Sequence, residues 1–246
     1  MNEATVQLLN ALNAKFYAAQ AQEFNDTRAH PWAGFTRVLG HVGAPVLSVL
    51  DVGCGNARLL PVLRARYGAG LHYLGLDASE PLLALARQRS DDADARFLHG
   101  DFVRADPAHV LPSGAYDLVS VFAVLHHVPT EARRLALLRA AVARLAKAGV
   151  LAFTLWRFDT DPRFASRCVP PSQARLDAGH TLADNDLDAG DYLLRWGSGE
   201  NALRYCHFID EAELGRLLVG VGLTLIERFR ADGAGDALNE YLVLRG

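Results

Sequence analysis

The chain has 246 residues, of which 50% are hydrophobic and 22% are charged. This balance is typical of globular proteins and excludes a wholly disordered chain. The formal net charge of −3 lacks the basic excess of a general nucleic-acid binder, so a contact with nucleic acid would need a local basic patch.

Residues 1–45 are predicted to form a helical N-terminal cap. Apolar residues such as Val6 and Leu9 recur there at three- and four-residue spacing, which places them on one face of a helix. A polar segment follows at residues 24–32, where Pro31 disfavours helical backbone at the residue before it. A loop is therefore expected over this segment, followed by a short helix over residues 35–39.

The stretch from residue 46 to residue 156 alternates apolar, β-branched runs with helix-like segments. The strands are predicted at residues 46–52, 71–76, 95–98, 116–122 and 150–156. Helices are predicted between them, and the last of these runs from residue 129 or 130 to residue 147. Strands that alternate with helices are typical of a parallel sheet covered on both faces.

Residues 157–205 break this alternation. They contain Pro162, Pro170 and Pro171 and an acidic patch at residues 184–191, and they show little periodicity, so an irregular insertion that could act as a lid is expected. Residues 206–246 return to the earlier pattern, with a helix over 210–219 and a hairpin of strands at 223–229 and 238–244.

Together these elements predict an α/β fold in a single domain over residues 1–246. Its doubly wound sheet has seven strands and is mostly parallel, with an antiparallel C-terminal strand and a helical N-terminal cap.

The cysteines and the hydropathy of the chain indicate its compartment. Cys54, Cys168 and Cys206 include no CxxC pair, which excludes a disulfide framework and suits a reducing cytoplasm. The first residues lack a positively charged start followed by an apolar run, so no secretory signal is expected. No run of about 18 apolar residues occurs, so no membrane span is expected. We therefore expect a cytoplasmic protein without a membrane partner.

The sequence Asp-Val-Gly-Cys-Gly-Asn at residues 51–56 lies where the first predicted strand meets the following helix. Glycines at such a junction let the backbone turn sharply and approach a ligand, and a helix N-terminus offers free N–H groups. Asp77 ends the second strand 22 residues after Gly55. A carboxylate near this offset binds ribose hydroxyls. A tight turn without a ligand is the alternative reading.

The loop also indicates which cofactor it could hold. A dinucleotide would need a third glycine three residues after Gly55, where this chain has Arg58. Asp51, just before the loop, would repel a pyrophosphate and suits a cation. S-adenosylmethionine carries an ammonium and a sulfonium group and no phosphate, so it fits this loop better than a dinucleotide.

These motifs resemble those of the class I S-adenosylmethionine-dependent methyltransferases, over residues 46–156 and again over 210–245. The resemblance implies that S-adenosylmethionine is the cofactor and that residues 46–156 form the cofactor-binding half. It places Asp77 on the ribose and the pair Asp101 and Phe102 on the adenine. The implied cofactor-binding residues are Asp51, Gly53, Cys54, Gly55, Asp77, Ala78, Asp101, Phe102 and Ala123.

Four further segments resemble the tRNA wobble-uridine carboxymethyl methyltransferases, in the same order along the chain. They are residues 24–32, 126–134, 191–196 and 204–207. The resemblance implies an enzyme that esterifies a carboxymethyl group on a modified uridine, with tRNA and an activating protein as partners. The chain departs from that family at Arg195, where proline is common, and at Cys206, where tyrosine is common.

A carboxylate acceptor is already an anion at neutral pH, so methyl transfer to it needs positioning more than a general base. Arginine can hold a carboxylate through two parallel hydrogen bonds. Arg28, Arg195 and Arg204 lie in segments that should overhang the strand ends. A surface position or a local ion pair is the alternative for each arginine.

His126 and His127 follow the fourth predicted strand, beside the expected point of methyl transfer. Either ring could take a proton from a neutral hydroxyl or amine acceptor. A helix-capping or core role is the alternative for each. No group of Cys, His and carboxylate residues has metal-ligand spacing, so no metal is expected. The predicted catalytic residues are therefore Arg28, His126, His127 and Arg204.

Two other functions stay open at this point. A small-molecule O- or N-methyltransferase is consistent with the negative net charge and the long insertion. A non-catalytic partner subunit that keeps the fold for binding is the second alternative, and the intact set of Asp51, Gly53, Gly55 and Asp77 argues against it.

Overall fold

A computed structural model of the chain describes residues 1–28, 30–43, 47–90, 95–158, 162–174, 176, 182–196 and 202–246. For residues 162, 163 and 234 only the backbone is described. Val46, predicted as the first residue of the first strand, and Ala29, in the first family-like segment, lie outside the described residues.

Three helices form the N-terminal cap: α1 (Glu3–Ala19), α2 (Ala21–Asp26) and α3 (Ala33–Leu39). The Asn2 side chain accepts a hydrogen bond of 2.9 Å from the Thr5 N–H and so caps the start of α1. The predicted helical cap is confirmed, although α2 extends into the polar segment for which the sequence predicts a loop.

The described residues contain ten strands in two sheets. The larger sheet holds β1 (Leu47–Val52), β2 (Leu71–Asp77), β3 (Ala95–His99), β4 (Tyr116–Val121), β5 (Leu145–Trp156), β9 (Thr224–Ala231) and β10 (Asn239–Arg245). The smaller sheet holds β6 (Cys168–Val169), β7 (Asp191–Arg195) and β8 (Leu203–His207).

The larger sheet has the strand order β3-β2-β1-β4-β5-β10-β9, and β10 is antiparallel to both of its neighbours. This confirms the predicted α/β fold with a mostly parallel, seven-stranded sheet and an antiparallel C-terminal strand. The strand order reverses between β1 and β4, which pair in parallel. Ligands of open α/β sheets bind in the crevice at such a reversal, at the carboxyl ends of the strands.

The described residues contain six further helices: α4 (Leu60–Tyr67), α5 (Glu80–Arg89), α6 (Pro107–Val110), α7 (Glu131–Val142), α8 (Pro162–Ala165) and α9 (Glu211–Val221). The predicted helix end at residue 147 is wrong. α7 ends at Val142, and β5 begins at Leu145, which pairs with Tyr116. The backbone at Leu145 therefore pairs across the sheet instead of continuing the helix, and the register of β5 with β4 shifts before Val150 pairs with Leu118. Of all the helices within the described ranges, none combines the length and hydropathy of a membrane span.

Alternate residues of β1 face the two layers of the core. Leu47 and Val49 pack in the layer that includes α3 and α4. Leu50 and Val52 pack in the layer that includes α7 and α9. All four side chains are fully buried, as expected for the unbroken apolar run of a central parallel strand.

The expectation that residues 157–205 are irregular is wrong in part. β6, β7 and β8 form an antiparallel sheet, and β8 continues to His207, past the expected end of the insertion. Strands of two and five residues are too short to show a clear alternation in the sequence. Leu193, Leu203 and Tyr205 of this sheet pack against Leu9 of α1, so the insertion and the cap share a small core.

His207 of β8 connects the smaller sheet to α9 through a hydrogen bond. Its Nδ1 lies 2.6 Å from Asp191 Oδ1, and its Nε2 lies 2.7 Å from Glu213 Oε2 on α9. Burial lowers the pKa of His207, but the hydrogen bonds to the two carboxylates outweigh burial and raise this pKa above its usual value. The Glu213 carboxylate also accepts a hydrogen bond of 2.6 Å from Arg134 on α7. These contacts fix the position of β8.

Candidate functional site

The glycine loop at the end of β1 is held against the end of β2. Gly53 and Gly55 have φ angles of 75° and 55°, in the left-handed region that favours glycine. The N–H groups of Gly53 and Cys54 donate hydrogen bonds of 2.7 and 3.1 Å to the Leu76 carbonyl. A Cβ on Gly53 would lie 2.2 Å from Cγ2 of Val124, so the loop has no room for a side chain there.

Asp77 ends β2 with an oriented carboxylate. Its Oδ2 accepts a hydrogen bond from the Gly55 N–H and its Oδ1 accepts one from the Ser79 N–H, both at 2.8 Å. Burial raises the pKa of Asp77, against the effect of these backbone donors. A carboxylate oxygen can accept more than one hydrogen bond, so the group keeps acceptor capacity for a ligand hydroxyl.

Asp51 carries a second buried carboxylate at the end of β1. It accepts hydrogen bonds of 2.6 Å from the Tyr73 hydroxyl and 2.7 Å from the Ser120 hydroxyl. Burial raises the pKa of Asp51 to about 6, although both hydroxyls favour the charged form. A cation placed beside this carboxylate would stabilise its charged form.

A cavity of about 620 Å³ lies at the carboxyl ends of β1 and β4. All thirteen predicted site residues line it: Arg28, Asp51, Gly53, Cys54, Gly55, Asp77, Ala78, Asp101, Phe102, Ala123, His126, His127 and Arg204. The fold therefore brings the implied cofactor residues and the predicted catalytic residues into one space, although the chain separates them widely.

The charged side chains of this cavity come from different parts of the fold. The acidic ones lie at the ends of β1 and β2 or just after β2 and β3. They are Asp51, Asp77, Glu80 and Asp101. Most of the basic ones come from segments that cover the strand ends. Arg28 belongs to the N-terminal cap, Arg58 follows the glycine loop, and Arg167 and Arg204 belong to the insertion. The strand ends thus suit a cation, and the covering segments suit an anion.

Arg28 and Arg204 share one aromatic neighbour. Their guanidinium carbons lie 4.8 and 4.9 Å from the centre of the Trp196 ring. Arg204 is 5% exposed, and its Nε has no hydrogen-bond partner. Burial lowers the pKa of Arg28 to about 10, so this group stays charged at neutral pH. Within the described part of the chain, neither arginine forms an ion pair with a carboxylate.

Arg195, the third predicted arginine, does not line the cavity. It is exposed on β7, where it lies opposite Leu203, whereas Arg204 lies opposite Leu194. Successive residues of a strand point to opposite faces of the sheet. The register of β7 and β8 therefore turns Arg204 toward the cavity and Arg195 away from it.

His127 has partners at both ring nitrogens. Its Nε2 lies 2.7 Å from the Tyr17 hydroxyl, and its Nδ1 lies 2.9 Å from the Tyr205 carbonyl oxygen. Burial and, to a smaller extent, the charge of Arg204 together lower the pKa of His127 to about 3. The ring is therefore neutral at physiological pH.

His126 lies between two rings at the wall of the cavity, each tilted by 54° to its own ring. Its ring centre lies 4.1 Å from that of His127 and 5.2 Å from that of Trp156. Burial holds the pKa of His126 well below its usual value, and the charges of Arg204 and Arg28 act in the same direction. Its buried Nδ1 has no hydrogen-bond partner. This neutral ring can bond to a bound acceptor, but it is a weak base.

The fold also forms a cluster that sequence spacing does not reveal. His126, His127 and Cys206 each offer one potential ligand atom, and these atoms lie within 4.8 Å of one another. Burial raises the pKa of the Cys206 thiol to about 12, and the charge of Arg204 disfavours a further cation beside the histidines. The expected absence of a metal stays a prediction.

Sequence reasoning missed Tyr17 and Arg58, which also line the cavity. Tyr17 continues a row of polar residues on α1 that includes Asn10 and Asn13, at spacings of three and four. That row could have indicated a polar face on an otherwise apolar helix. The Arg58 guanidinium lies 4.0 Å from the centre of the Trp32 ring, a pairing that only the fold creates.

The residues present fit the cofactor that the sequence implies. Gly53 has no side chain, so a ligand can approach the backbone at the end of β1. A Cβ added at this residue would also lie 3.7 Å from the Phe102 ring. The buried carboxylate of Asp51 suits the ammonium or sulfonium group, and the carboxylate of Asp77 suits the ribose hydroxyls.

Comparison with known proteins gives both a family and relatives. The family model described as a methyltransferase domain matches residues 17–228. The chain is 31% identical over 147 residues to the tRNA (carboxymethyluridine(34)-5-O)-methyltransferase alkbh8 of Xenopus tropicalis, a match that covers 60% of this chain and 21% of that protein. It is 30% identical over 145 residues to the tRNA (carboxymethyluridine(34)-5-O)-methyltransferase of Schizosaccharomyces pombe, covering 58% of this chain and 56% of that protein. The chain thus spans about a fifth and about half of the lengths of these relatives.

Two solved structures share the fold. One is the complex between the Haloferax volcanii Trm112 methyltransferase activator and a methyltransferase, with a TM-score of 0.63, 15% identity and coverage of 94% of this chain and 96% of that one. The other is the Burkholderia thailandensis 1,6-didemethyltoxoflavin-N1-methyltransferase with bound S-adenosylhomocysteine, with a TM-score of 0.62, 17% identity and coverage of 97% and 87%. At these identities the similarity concerns the fold alone.

Proposed function

The chain belongs to the methyltransferase domain family, and from this membership we propose that it transfers a methyl group from S-adenosylmethionine to a carboxylate, namely the carboxymethyl group of a modified uridine in tRNA. The bound cofactor would supply a methyl group on a positively charged sulfur. The product of the transfer is a methyl ester, so a negative charge of the acceptor disappears.

The residues at the strand ends hold the cofactor in this proposal. The glycine loop at Gly53 and Gly55 admits it close to the backbone, Asp51 faces its positive charge, and Asp77 binds its ribose. Ala78, Asp101, Phe102 and Ala123 complete the cofactor set, as the resemblance implies. These residues orient and bind, and none of them needs to move a proton.

One observation carries the carboxylate part of the proposal: Arg28 and Arg204 line the cavity without a carboxylate partner within the described residues. Arg204 is buried and Arg28 is half-buried. A cation withdrawn from water without an anionic partner is costly, so this pair suits an anion that arrives with the substrate. The guanidinium groups would hold the acceptor oxygen in line with the methyl group. His126, with its free Nδ1, would bond to the bound acceptor, and the low pKa of its ring fits a reaction that needs no general base.

The curated relatives support tRNA as the carrier of this carboxylate, because both are described as methyltransferases of carboxymethyluridine in tRNA. The structural neighbour in complex with the Trm112 activator supports a protein partner for this chain. A tRNA substrate would place the enzyme in the cytoplasm.

The test is methyl transfer to tRNA that retains an unesterified carboxymethyluridine. Purified protein is incubated with S-adenosylmethionine labelled in the methyl group and with tRNA from cells that lack the esterifying enzyme, with and without an activator of the Trm112 type. The expected result is label in tRNA that mild alkali releases as methanol, because an ester is hydrolysed and an N-methyl group is not. Alkali-stable label, or no label in RNA under either condition, would contradict the proposal.

A small-molecule acceptor is the second candidate, and the partial cover over the cavity favours it. α1 and the smaller sheet share a core over the strand ends, and the net charge of −3 does not attract RNA over the whole surface. Labelled methyl transfer to compounds of low mass in an RNA-free cell extract would support this candidate. Absence of transfer to either fraction, together with tight binding of S-adenosylmethionine, would favour a non-catalytic partner subunit.

A further inference from the structure

The hydrogen bonds of His127 determine which of its nitrogens carries the proton. Nδ1 lies 2.9 Å from the Tyr205 oxygen and 3.4 Å from the Asn13 amide nitrogen, which itself donates to the Tyr205 oxygen. A carbonyl oxygen can only accept, so the shorter contact assigns the proton to Nδ1. In the neutral ring Nε2 is then an acceptor, and the Tyr17 hydroxyl donates to it. One neutral imidazole therefore links a residue of α1 to the backbone of β8.

At Tyr205, the backbone N–H and carbonyl of β8 bond to side chains and not to a neighbouring strand. Among the residues that the structure describes, β8 pairs with β7 alone, so it is an edge strand of this sheet. On the open side, the Asn13 amide accepts a hydrogen bond of 2.8 Å from the Tyr205 N–H and donates one of 3.2 Å to the Tyr205 oxygen. His127 adds a second donor to the same oxygen. Side chains from two distant segments thus take the place of a neighbouring strand.

Arg204 is the residue before Tyr205, and its side chain enters the cavity from this edge. Its Nε lacks a hydrogen-bond partner, so the direction of its guanidinium depends on the backbone and on packing against Trp156 and Trp196. A shift of the strand at Tyr205 would therefore move the group that holds the acceptor in the proposed function.

We propose that His127 is a positioning residue, which ties Tyr17 to the backbone of Tyr205 and so directs Arg204 toward the acceptor carboxylate. This inference rests on the proposed function for the role of Arg204. A general base would need a free nitrogen near the acceptor and a pKa near the working pH. Both nitrogens of His127 are engaged, and burial keeps the ring neutral down to about pH 3.

Kinetics of three variants test this role. Tyr17→Phe keeps the aromatic ring and removes the donor to Nε2, so the KM for the acceptor should rise on the order of tenfold, the usual effect of one lost hydrogen bond. His127→Asn places an amide N–H where Nδ1 stands, and it should retain more activity than His127→Ala. Tyr67→Phe is the control, because it removes a comparable hydroxyl bond, to the Val42 carbonyl, outside the cavity. Equal loss of kcat in both His127 variants, with an unchanged KM, would overturn the inference and indicate a base.

A measurement without an acceptor keeps this inference separate from the proposed function. Long-range proton–nitrogen NMR of the labelled full chain should show His127 with its proton on Nδ1 from pH 5 to pH 9. The Nε2 signal should shift in Tyr17→Phe. A proton on Nε2, or a titration of this ring within that range, would overturn the positioning role. If tRNA is not methylated but the Nδ1 proton is observed, the proposed function fails and the connection between α1 and β8 stands.

Discussion

The Asp77 carboxylate accepts a hydrogen bond of 2.8 Å from the backbone N–H of Gly55, so the end of one strand fixes the loop at the end of its neighbour. The same carboxylate bonds to the Ser79 N–H at the start of the next helix. Three segments of the proposed cofactor site therefore depend on one side chain.

Replacing Asp77 by alanine should weaken the binding of S-adenosylmethionine by about 1–3 kcal/mol, the usual cost of losing hydrogen bonds to a charged group. Isothermal titration calorimetry measures this affinity. Asp106→Ala is a control, since Asp106 caps α6 and lies outside the cavity. Unchanged affinity in Asp77→Ala would remove Asp77 from the cofactor site.

Gly53→Ala should abolish cofactor binding, because the new Cβ would lie 2.2 Å from Val124 at a φ of 75°. Calorimetry and thermal unfolding should both report the change. Gly215→Ala, on α9, adds a methyl group where no atom lies within 4 Å and should leave binding intact. The double variant with Val124→Ala should recover part of the stability, since it relieves the contact but not the backbone strain. Cofactor binding by Gly53→Ala at the wild-type affinity would contradict the assignment of the loop.

Arg204→Ala should spare cofactor affinity and lower kcat/KM for the acceptor. The loss of charge-assisted hydrogen bonds costs about 1.5–3 kcal/mol, or roughly a factor of 10 to 100. Arg204→Lys should be intermediate, because lysine keeps the charge but not the planar fork. Arg195→Ala is the matched control, one strand away and exposed. Equal kinetics for Arg204→Ala and Arg195→Ala would exclude the carboxylate clamp.

In the protein without bound cofactor, Asp51 should lower the free energy of unfolding as the pH rises from about 4 to about 6. Burial raises its native pKa from 3.8 to about 6, so in this window the native state holds a proton that the unfolded state has released. The unfolding free energy of wild type should therefore fall relative to that of Asp51→Asn, by at most about 3 kcal/mol. Urea unfolding of both proteins across this pH range measures the difference in unfolding free energy. His126 and His127 contribute in the opposite direction, but both proteins contain them, so their contributions cancel in the difference. A difference that is constant with pH would contradict this prediction.

Much of the sheet and of the cofactor end of the site is predictable because the signals are local. The apolar run of β1, the glycines after it and the acid at the end of β2 follow one another within a short stretch. The boundary between α7 and β5 is not predictable in this way, because the pairing of Leu145 with Tyr116 decides it. The smaller sheet was missed for a similar reason, since its strands are short and β6 pairs with β7 across a long connection.

The arginines and histidines of the cavity show that the roles of single residues are also hard to predict from local sequence. Arg195 and Arg204 are both candidate clamps from the sequence, of which only Arg204 is among the predicted catalytic residues. The register of β7 with β8 sends Arg204 into the cavity and leaves Arg195 outside it. His126 and His127 are neighbours in sequence, yet only His127 has partners at both nitrogens, from Tyr17 and Tyr205. These partners lie 110 and 78 residues away along the chain.

The amino-acid sequence by itself determined the α/β class, the glycine loop and the acid that follows it, because strand, turn and helix signals act over a few residues. Tertiary structure alone decided which arginines stay without a carboxylate, which histidine is held on both sides and which side chains close the edge of β8. These properties depend on groups that meet only when distant segments pack together, since charge and hydrogen bonding are settled by neighbours in space.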